Sequence, residues 1–304
     1  MDKPSPRRAR NMAEMGEIQG RCFQLEKIVQ SIASFRPRPD DVIISPYGKC
    51  GTTWLQQTFH TLRTRGDMAF DDISRVVPWI ELAAVLDIDL DAEQRARPRG
   101  FKSHLPFDQI PKGGRYVVSL RDPKDAAVSM YRFMEGWFFE PGAISMTEFT
   151  TARFANRGRG LDYWHHLLTW WDERDNADVL LLSYEQMSAE PETTIRRVAA
   201  FCGIALDDAL LELTLKQSSL AFMLAHKDKF DDLMMREVSE RIGNLPPGSD
   251  SAKVRAGRIG SHRAEMPDEL AATLDAIWAE TVTAKLGFKD YAALEFELRR
   301  RSQA

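Results

Sequence analysis

The sequence predicts an α/β protein: a central parallel β-sheet flanked by helices in three layers. Three observations predict it. Short runs suited to buried strands recur at Val42–Ser45, Gly100–Ser103, Tyr116–Leu120 and Val179–Ser183. Helical patterns lie between and after them, at Thr52–Arg65, Trp79–Leu86, Asp125–Met134, Leu161–Asp172 and Thr193–Cys202, and such alternation implies parallel strands covered on both faces. The residues best suited to chemistry, Lys49, His104, Arg121 and Tyr184, each come after one of the four runs. Ligands of open α/β sheets bind at those carboxyl ends.

The elements follow in chain order. Residues 1–20 are polar and arginine-rich, and are read as a mobile N-terminal arm; residues 21–304 are read as a single domain. The run Val42-Ile43-Ile44 leads into Tyr47-Gly48-Lys49-Cys50-Gly51-Thr52-Thr53-Trp54 and then a helix. A helix N-terminus offers unpaired N–H groups and partial positive charge, so this turn is built to hold an anion. Glycine lets backbone approach a phosphate, Lys49 adds a full charge, and Thr52 and Thr53 add hydroxyl donors. After the third strand come Arg121-Asp122-Pro123-Lys124-Asp125 and, further on, Ser129. Pro123 suits the first turn of a helix. A polar stretch near 226–265 ends in the basic run Lys253 to Arg263 and is read as a lid. Pro267 to Lys285 reads as a closing helix.

Composition narrows the function classes. A net charge of −4 argues against nucleic acid as the main partner. No apolar stretch approaches the ~18 residues a membrane span needs, and no secretory leader is recognisable. Three scattered cysteines and no Cys/His pairing suggest neither zinc nor a disulfide framework, so a cytoplasmic location is expected.

Which anion the first loop holds is decided partly by what it lacks. A Walker loop needs a glycine where Ile43 stands and Ser or Thr where Cys50 stands. No clear hydroxyl–carboxylate pair for magnesium accompanies it. Arg121 with Ser129, and Arg255-Ala256-Gly257-Arg258-Ile259-Gly260 in the lid, form second and third basic elements. Three such elements suggest a ligand with phosphates at both ends of a sugar.

These motifs resemble the cytosolic sulfotransferase family, which uses 3′-phosphoadenosine 5′-phosphosulfate (PAPS) and releases 3′-phosphoadenosine 5′-phosphate (PAP). Its first loop reads roughly Tyr-Pro-Lys-Ser-Gly-Thr-Thr-Trp, and Tyr47 to Trp54 match six of these eight residues. Lys102-Ser103-His104-Leu105-Pro106 is similar to the family's Lys-Thr-His-Leu-Pro. Arg121 to Asp125 with Val128-Ser129-Met130-Tyr131, Tyr184-Glu185-Gln186-Met187, and Arg255 to Gly260 have counterparts in the same order. The likeness runs from about residue 40 to 263 and is that of a divergent, bacterial-like member. Gly48 replaces a proline, Cys50 a serine, Ala256 a basic residue and Ser261-His262 an Asp-Trp pair, and the family's dimer motif is not recognisable.

The resemblance implies a sulfotransferase fold related to the P-loop nucleotide hydrolases, and it implies roles. Lys49, Gly51, Thr52 and Thr53 would bind the 5′-phosphosulfate. Arg121, Ser129, Arg255, Ala256 and Gly257 would hold the 3′-phosphate, and Trp54, Tyr184 and Ser218 would surround adenine. His104 would be the general base, with Lys49, Lys102 and Ser129 as its catalytic partners and no metal. A neutral imidazole can take a hydroxyl proton near neutral pH. Strand alternation points Lys102 and His104 the same way. Trp79, His104, Trp137, Phe138 and His166, with Phe139 and Met223 as further candidates, are read as an apolar pocket for a small acceptor bearing a hydroxyl or amine. His60, His226 and His262 are read as structural. Two other readings stay open: an ATP-dependent small-molecule kinase, and a non-catalytic nucleotide-binding protein on the same scaffold.

Overall fold

The computed structural model describes residues 5–157, 160–255 and 257–303. Its centre is a four-stranded sheet, β1 (Val42–Ile44), β2 (Gly100–Lys102), β3 (Arg115–Leu120) and β4 (Val179–Ser183), ordered β2-β1-β3-β4. All pairings are parallel, with Val42 opposite both Gly100 and Arg115, and Val117 opposite Leu180. Ser45 and Ser103 fall just outside the strands but continue the ladder, through Ser45 N–H to Val117 O at 3.0 Å and Ser103 N–H to Ile44 O at 2.9 Å.

Side-chain alternation sorts the sheet into two cores. Val42, Ile44, Val117 and Leu182 pack with Leu55, Phe59 and Leu62 of the helix Thr52–Thr64 and Ile195 and Val198 of the helix Pro191–Phe201. Ile43, Phe101, Val118 and Leu120 turn the other way, onto Ala126 and Val128 of the helix Pro123–Trp137 and Trp164, Leu167 and Trp170 of the helix Tyr163–Asp172. This is the three-layer arrangement expected from the alternation of runs.

Several elements differ from expectation. Trp79–Leu86 is mostly not helical; only Ile80–Leu82 makes a 3-10 turn. Lys102 N–H bonds Pro78 O at 2.7 Å, and Trp79 pairs alongside Lys102 as a parallel bridge, so Pro78 and Trp79 run beside β2. The segment read as an arm carries a helix, Met12–Phe23, capped by Asn11, which accepts from Glu14 N–H at 2.9 Å. Met15, Ile18 and Cys22 form its buried stripe, and Ala9 is tied to Phe138 O by a 2.9 Å bond. The polar stretch 226–265 contains a helix, Leu233–Arg241, whose Met235 and Val238 are buried. A helix Tyr291–Gln303 follows the closing helix Asp268–Trp278 and packs on β4.

Candidate active site

The turn after β1 is held in a strained shape from two sides. Cys50 N–H closes on Tyr47 O at 3.0 Å, and Lys49 and Gly51 take φ of +69° and +99°. A left-handed lysine costs on the order of 1–3 kcal/mol and persists only where surroundings over-determine it. Here Arg121 Nη1 donates to Lys49 O at 2.8 Å, and Ser119 Oγ donates to Cys50 O, both from β3 and its end. A Cβ at Gly51 would approach the Tyr184 ring to 3.1 Å and Ser119 Oγ to 3.3 Å, so a side chain there is disfavoured both by the tight contacts and by the positive φ. Beneath the turn, Tyr47 packs edge-on against Phe154, Tyr163 and His166.

The turn opens onto a cavity of about 530 Å³. The sites expected for the nucleotide, Lys49, Gly51, Thr52, Thr53, Trp54, Arg121, Ser129, Tyr184, Ser218, Arg255 and Gly257, all line it. So do Trp79, Lys102, His104, Trp137 and Met223. Ala256 lies outside the described residues. Phe138, Phe139 and His166 do not line the cavity. Phe138 and Phe139 are fully buried, the former packed at a tilt against Trp137 with ring centres 4.7 Å apart. His166 instead points at the sheet end, its Nε2 3.0 Å from Ser45 O. Burial pushes its pKa down to about 3, so the ring is neutral and donates there. Its place on an aromatic helix hid this inward turn.

Cations outnumber anions in the cavity lining, where Asp232 and Glu265 face Lys49, Lys102, Arg121, Arg132, Lys253, Arg255 and Arg258. Lys49 Nζ sits 4.1 Å from the centre of the Phe133 ring, and Lys102 Nζ 3.5 Å from that of Trp79. Such contacts return part of the lost hydration of an ammonium. Desolvation pushes both lysines down to about 7; Asp232 opposes the shift while Lys253 adds to it. The Arg121 guanidinium lies 4.1 Å over Tyr184, whose ring meets Trp54 edge-on at 5.8 Å. Thr52 Oγ1 and Arg121 Nε are buried and have no hydrogen-bond partner among the described residues. Buried donors are normally satisfied, so these two fit an anionic ligand with acceptor oxygens.

His104 is fixed at both ends. Its N–H donates to Glu81 Oε1 at 2.6 Å, and its ring Nδ1 lies 2.7 Å from Pro46 O. A carbonyl can only accept, so Nδ1 carries the proton and Nε2 keeps its lone pair. Desolvation, then the charge of Lys102, drives the pKa to about 3. The imidazole is therefore neutral across the physiological range.

The lid is anchored to the start of the helix Pro123–Trp137. Asp125, fully buried, accepts from Gly260 N–H at 2.6 Å, His262 N–H at 3.0 Å and His262 Nδ1 at 2.8 Å. Arg121 Nη2 adds a 3.1 Å bond to Arg258 O. Reading the sequence assigned no role to Asp232 and none in the cavity to Lys253. They pair only through the fold, and no short-range spacing signals it. Among the described residues no group of three or more His, Cys, Asp or Glu side chains is arranged to hold a metal ion.

A strained glycine-containing turn at a switch between parallel strands, a second cluster of cations and a neutral histidine share one cavity, an arrangement suited to a group-transfer enzyme. The sulfotransferase domain model matches residues 39–286, and the chain belongs to that family of transferases. Sulfotransferase 1 family member D1 of Rattus norvegicus is 30% identical over 241 residues, which cover 75% of this chain and 81% of the relative. Luciferin sulfotransferase of Photinus pyralis is 26% identical over 281 residues, covering 81% and 72% of the two chains. Among solved structures, retinol dehydratase in complex with androsterone and the inactive cofactor PAP superposes with a TM-score of 0.68 at 18% identity, over 93% of this chain and 97% of that one.

Proposed function

We propose that this sulfotransferase moves the sulfuryl group of PAPS to a hydroxyl or amine of a small acceptor, with His104 as general base. The observation that carries the reading is the convergence on one cavity of Lys49, Arg121, Arg255 and Gly257 with a histidine whose Nε2 is free of its proton. The bound nucleotide supplies an activated sulfuryl group on a phosphate leaving oxygen. PAP in the solved retinol dehydratase complex supports that assignment of the nucleotide.

Lys49, the Thr52 hydroxyl and the N-terminus of the helix Thr52–Thr64 would grip the 5′ end. Arg121, Ser129, Arg255 and Gly257 would hold the 3′-phosphate, while Trp54, Tyr184 and Ser218 flank adenine. His104 takes the acceptor's proton at Nε2, and Nδ1–H to Pro46 O keeps the ring in that tautomer. An anionic nucleotide raises the basicity of His104 from its value in the cationic cavity, because negative charge favours imidazolium. Lys49 and Lys102 stabilise negative charge on the leaving oxygen. Ser129, which lines the same cavity, would bond the 3′-phosphate or the Lys49 ammonium.

Calorimetric titration tests the nucleotide assignment. PAP should bind at least about tenfold tighter than AMP, since a charge-assisted contact to the 3′-phosphate is worth about 1.5–3 kcal/mol. Preference for magnesium-ATP over PAP would favour a kinase instead.

A further inference from the structure

One charged pair lines the cavity beside the residues assigned to the nucleotide. Asp232 and Lys253 form an ion pair, their side chains only 8% and 7% exposed, and both line the cavity together with Trp79, Lys102 and His104. The pair is held by its neighbours in the chain. Asp231 and Ala252 make an antiparallel bridge. Ser251 Oγ and Arg236 Nη1 each donate to Asp231 at 2.8 Å. Asp232 and Lys253 are thus presented to the cavity by a clasp that closes behind them. Burial opposes both charges, yet each holds the other ionised: Asp232 stays below the usual carboxylate range, and Lys253 above the usual ammonium value.

Lys102 and Lys49 also act on Asp232, and Asp72 and Asp231 on Lys253, while much of the remaining wall is apolar. Phe23, Trp79, Met134, Trp137 and Met235 lie in the same lining. An ammonium carries three donors and a carboxylate about four lone-pair positions. One contact between the two leaves most of that capacity unspent. A wholly apolar acceptor body would strip water from these groups and return nothing, which is costly for buried charge. A polar atom on the acceptor would restore the lost bonds.

We infer that the Asp232–Lys253 pair selects the acceptor: it favours a phenol or alcohol bearing a second hydrogen-bonding oxygen over one whose reacting hydroxyl is its sole polar group. This rests on the sulfotransferase reading for the acceptor's place beside His104. It makes Asp232 and Lys253 specificity residues.

Two phenols that differ by a single hydroxyl, para-ethylphenol and para-(hydroxyethyl)phenol, test it by calorimetric titration of the full chain, with and without saturating PAP. The hydroxyethyl compound should bind about tenfold tighter or better, as one bond to a charged group allows. Removing one partner alone would strand the other charge and threaten folding, so the comparison uses the double variant Asp232→Leu/Lys253→Met, which removes both. In it the two phenols should bind within about twofold of each other. Equal affinities in the parent protein, tighter binding of the ethyl compound, binding of neither, or a preference that survives in the double variant would overturn the inference. Failure of PAP to bind would remove the nucleotide assignment while leaving the phenol comparison intact.

Discussion

Arg121 donates a 2.8 Å hydrogen bond to the carbonyl oxygen of Lys49, so the cation at one strand end fixes the backbone of the cation at another. The same guanidinium reaches Arg258 O in the lid at 3.1 Å. Arg121 therefore ties the turn proposed for the 5′ end to the segment around Arg258 that is read as a lid. Arg121→Ala should lower PAP affinity by about a hundredfold or more, through one lost charged contact and a loosened Lys49 turn. It should weaken AMP binding less. Calorimetry with the two nucleotides reads the difference, and equal losses for both would remove the 3′-phosphate role.

The lysines give a pH dependence with a definite sign. Lys49 and Lys102 are held near pKa 7 by desolvation, so both lose charge in the free protein as pH rises from 7 to 9. A polyanion prefers the charged form, so binding draws protons in. Affinity for PAP should fall with rising pH across that window, by at most about tenfold per unit for each lysine. Titrations in buffers of different ionisation enthalpy should show net proton uptake at pH 8. Uptake near zero would mean that the lysines are already fully charged in the free protein.

Gly51→Ala should damage the loop rather than abolish the fold. The substitution puts an alanine at φ +99° and a methyl 3.1 Å from Tyr184. A loss of about 1–3 kcal/mol in thermal or denaturant unfolding is expected, with a larger fractional loss of PAP binding. Unchanged nucleotide affinity would show that the turn does not contact the ligand.

Asp125 anchors the lid, so its removal should loosen it. Asp125→Ala deletes the acceptor for Gly260 N–H, His262 N–H and His262 Nδ1. Hydrogen exchange at 257–262 should accelerate, and PAP affinity should drop about tenfold or more as ordering of the lid is charged to binding. Protection unchanged at those amides would place the anchor elsewhere.

Much of this site is legible in the sequence, because local chemistry marks it. Val42-Ile43-Ile44 and Lys49 to Thr53 announce a strand, a turn and a helix start within a dozen residues, and Arg121 and His104 each stand just past a strand. The helix Met12–Phe23 was masked by the arginines before it, although Met15, Ile18 and Cys22 already carry a helical spacing. Trp79 reads as helical from its neighbours, but the backbone hydrogen bond from Lys102 to Pro78 holds it extended. That pairing is what lays the indole over the Lys102 ammonium. Phe138 and His166 are aromatic and near the site in sequence, yet their side chains turn into the core. The Asp232–Lys253 pair joins residues with no common local pattern, brought together by the bridge Asp231–Ala252 and the bond from Ser251 to Asp231.

The central claim is that the cavity binds PAPS and that His104 takes the acceptor's proton. Transfer of labelled sulfuryl from PAPS to a phenol, measured for the parent protein and for His104→Ala alongside PAP affinity, tests it most directly. The parent should form the labelled sulfate ester. The variant should lose about a hundredfold to ten-thousandfold in turnover while binding PAP nearly as well. Turnover by His104→Ala at the parent's rate, or no transfer by a parent protein that binds PAP and phenol, would contradict the account.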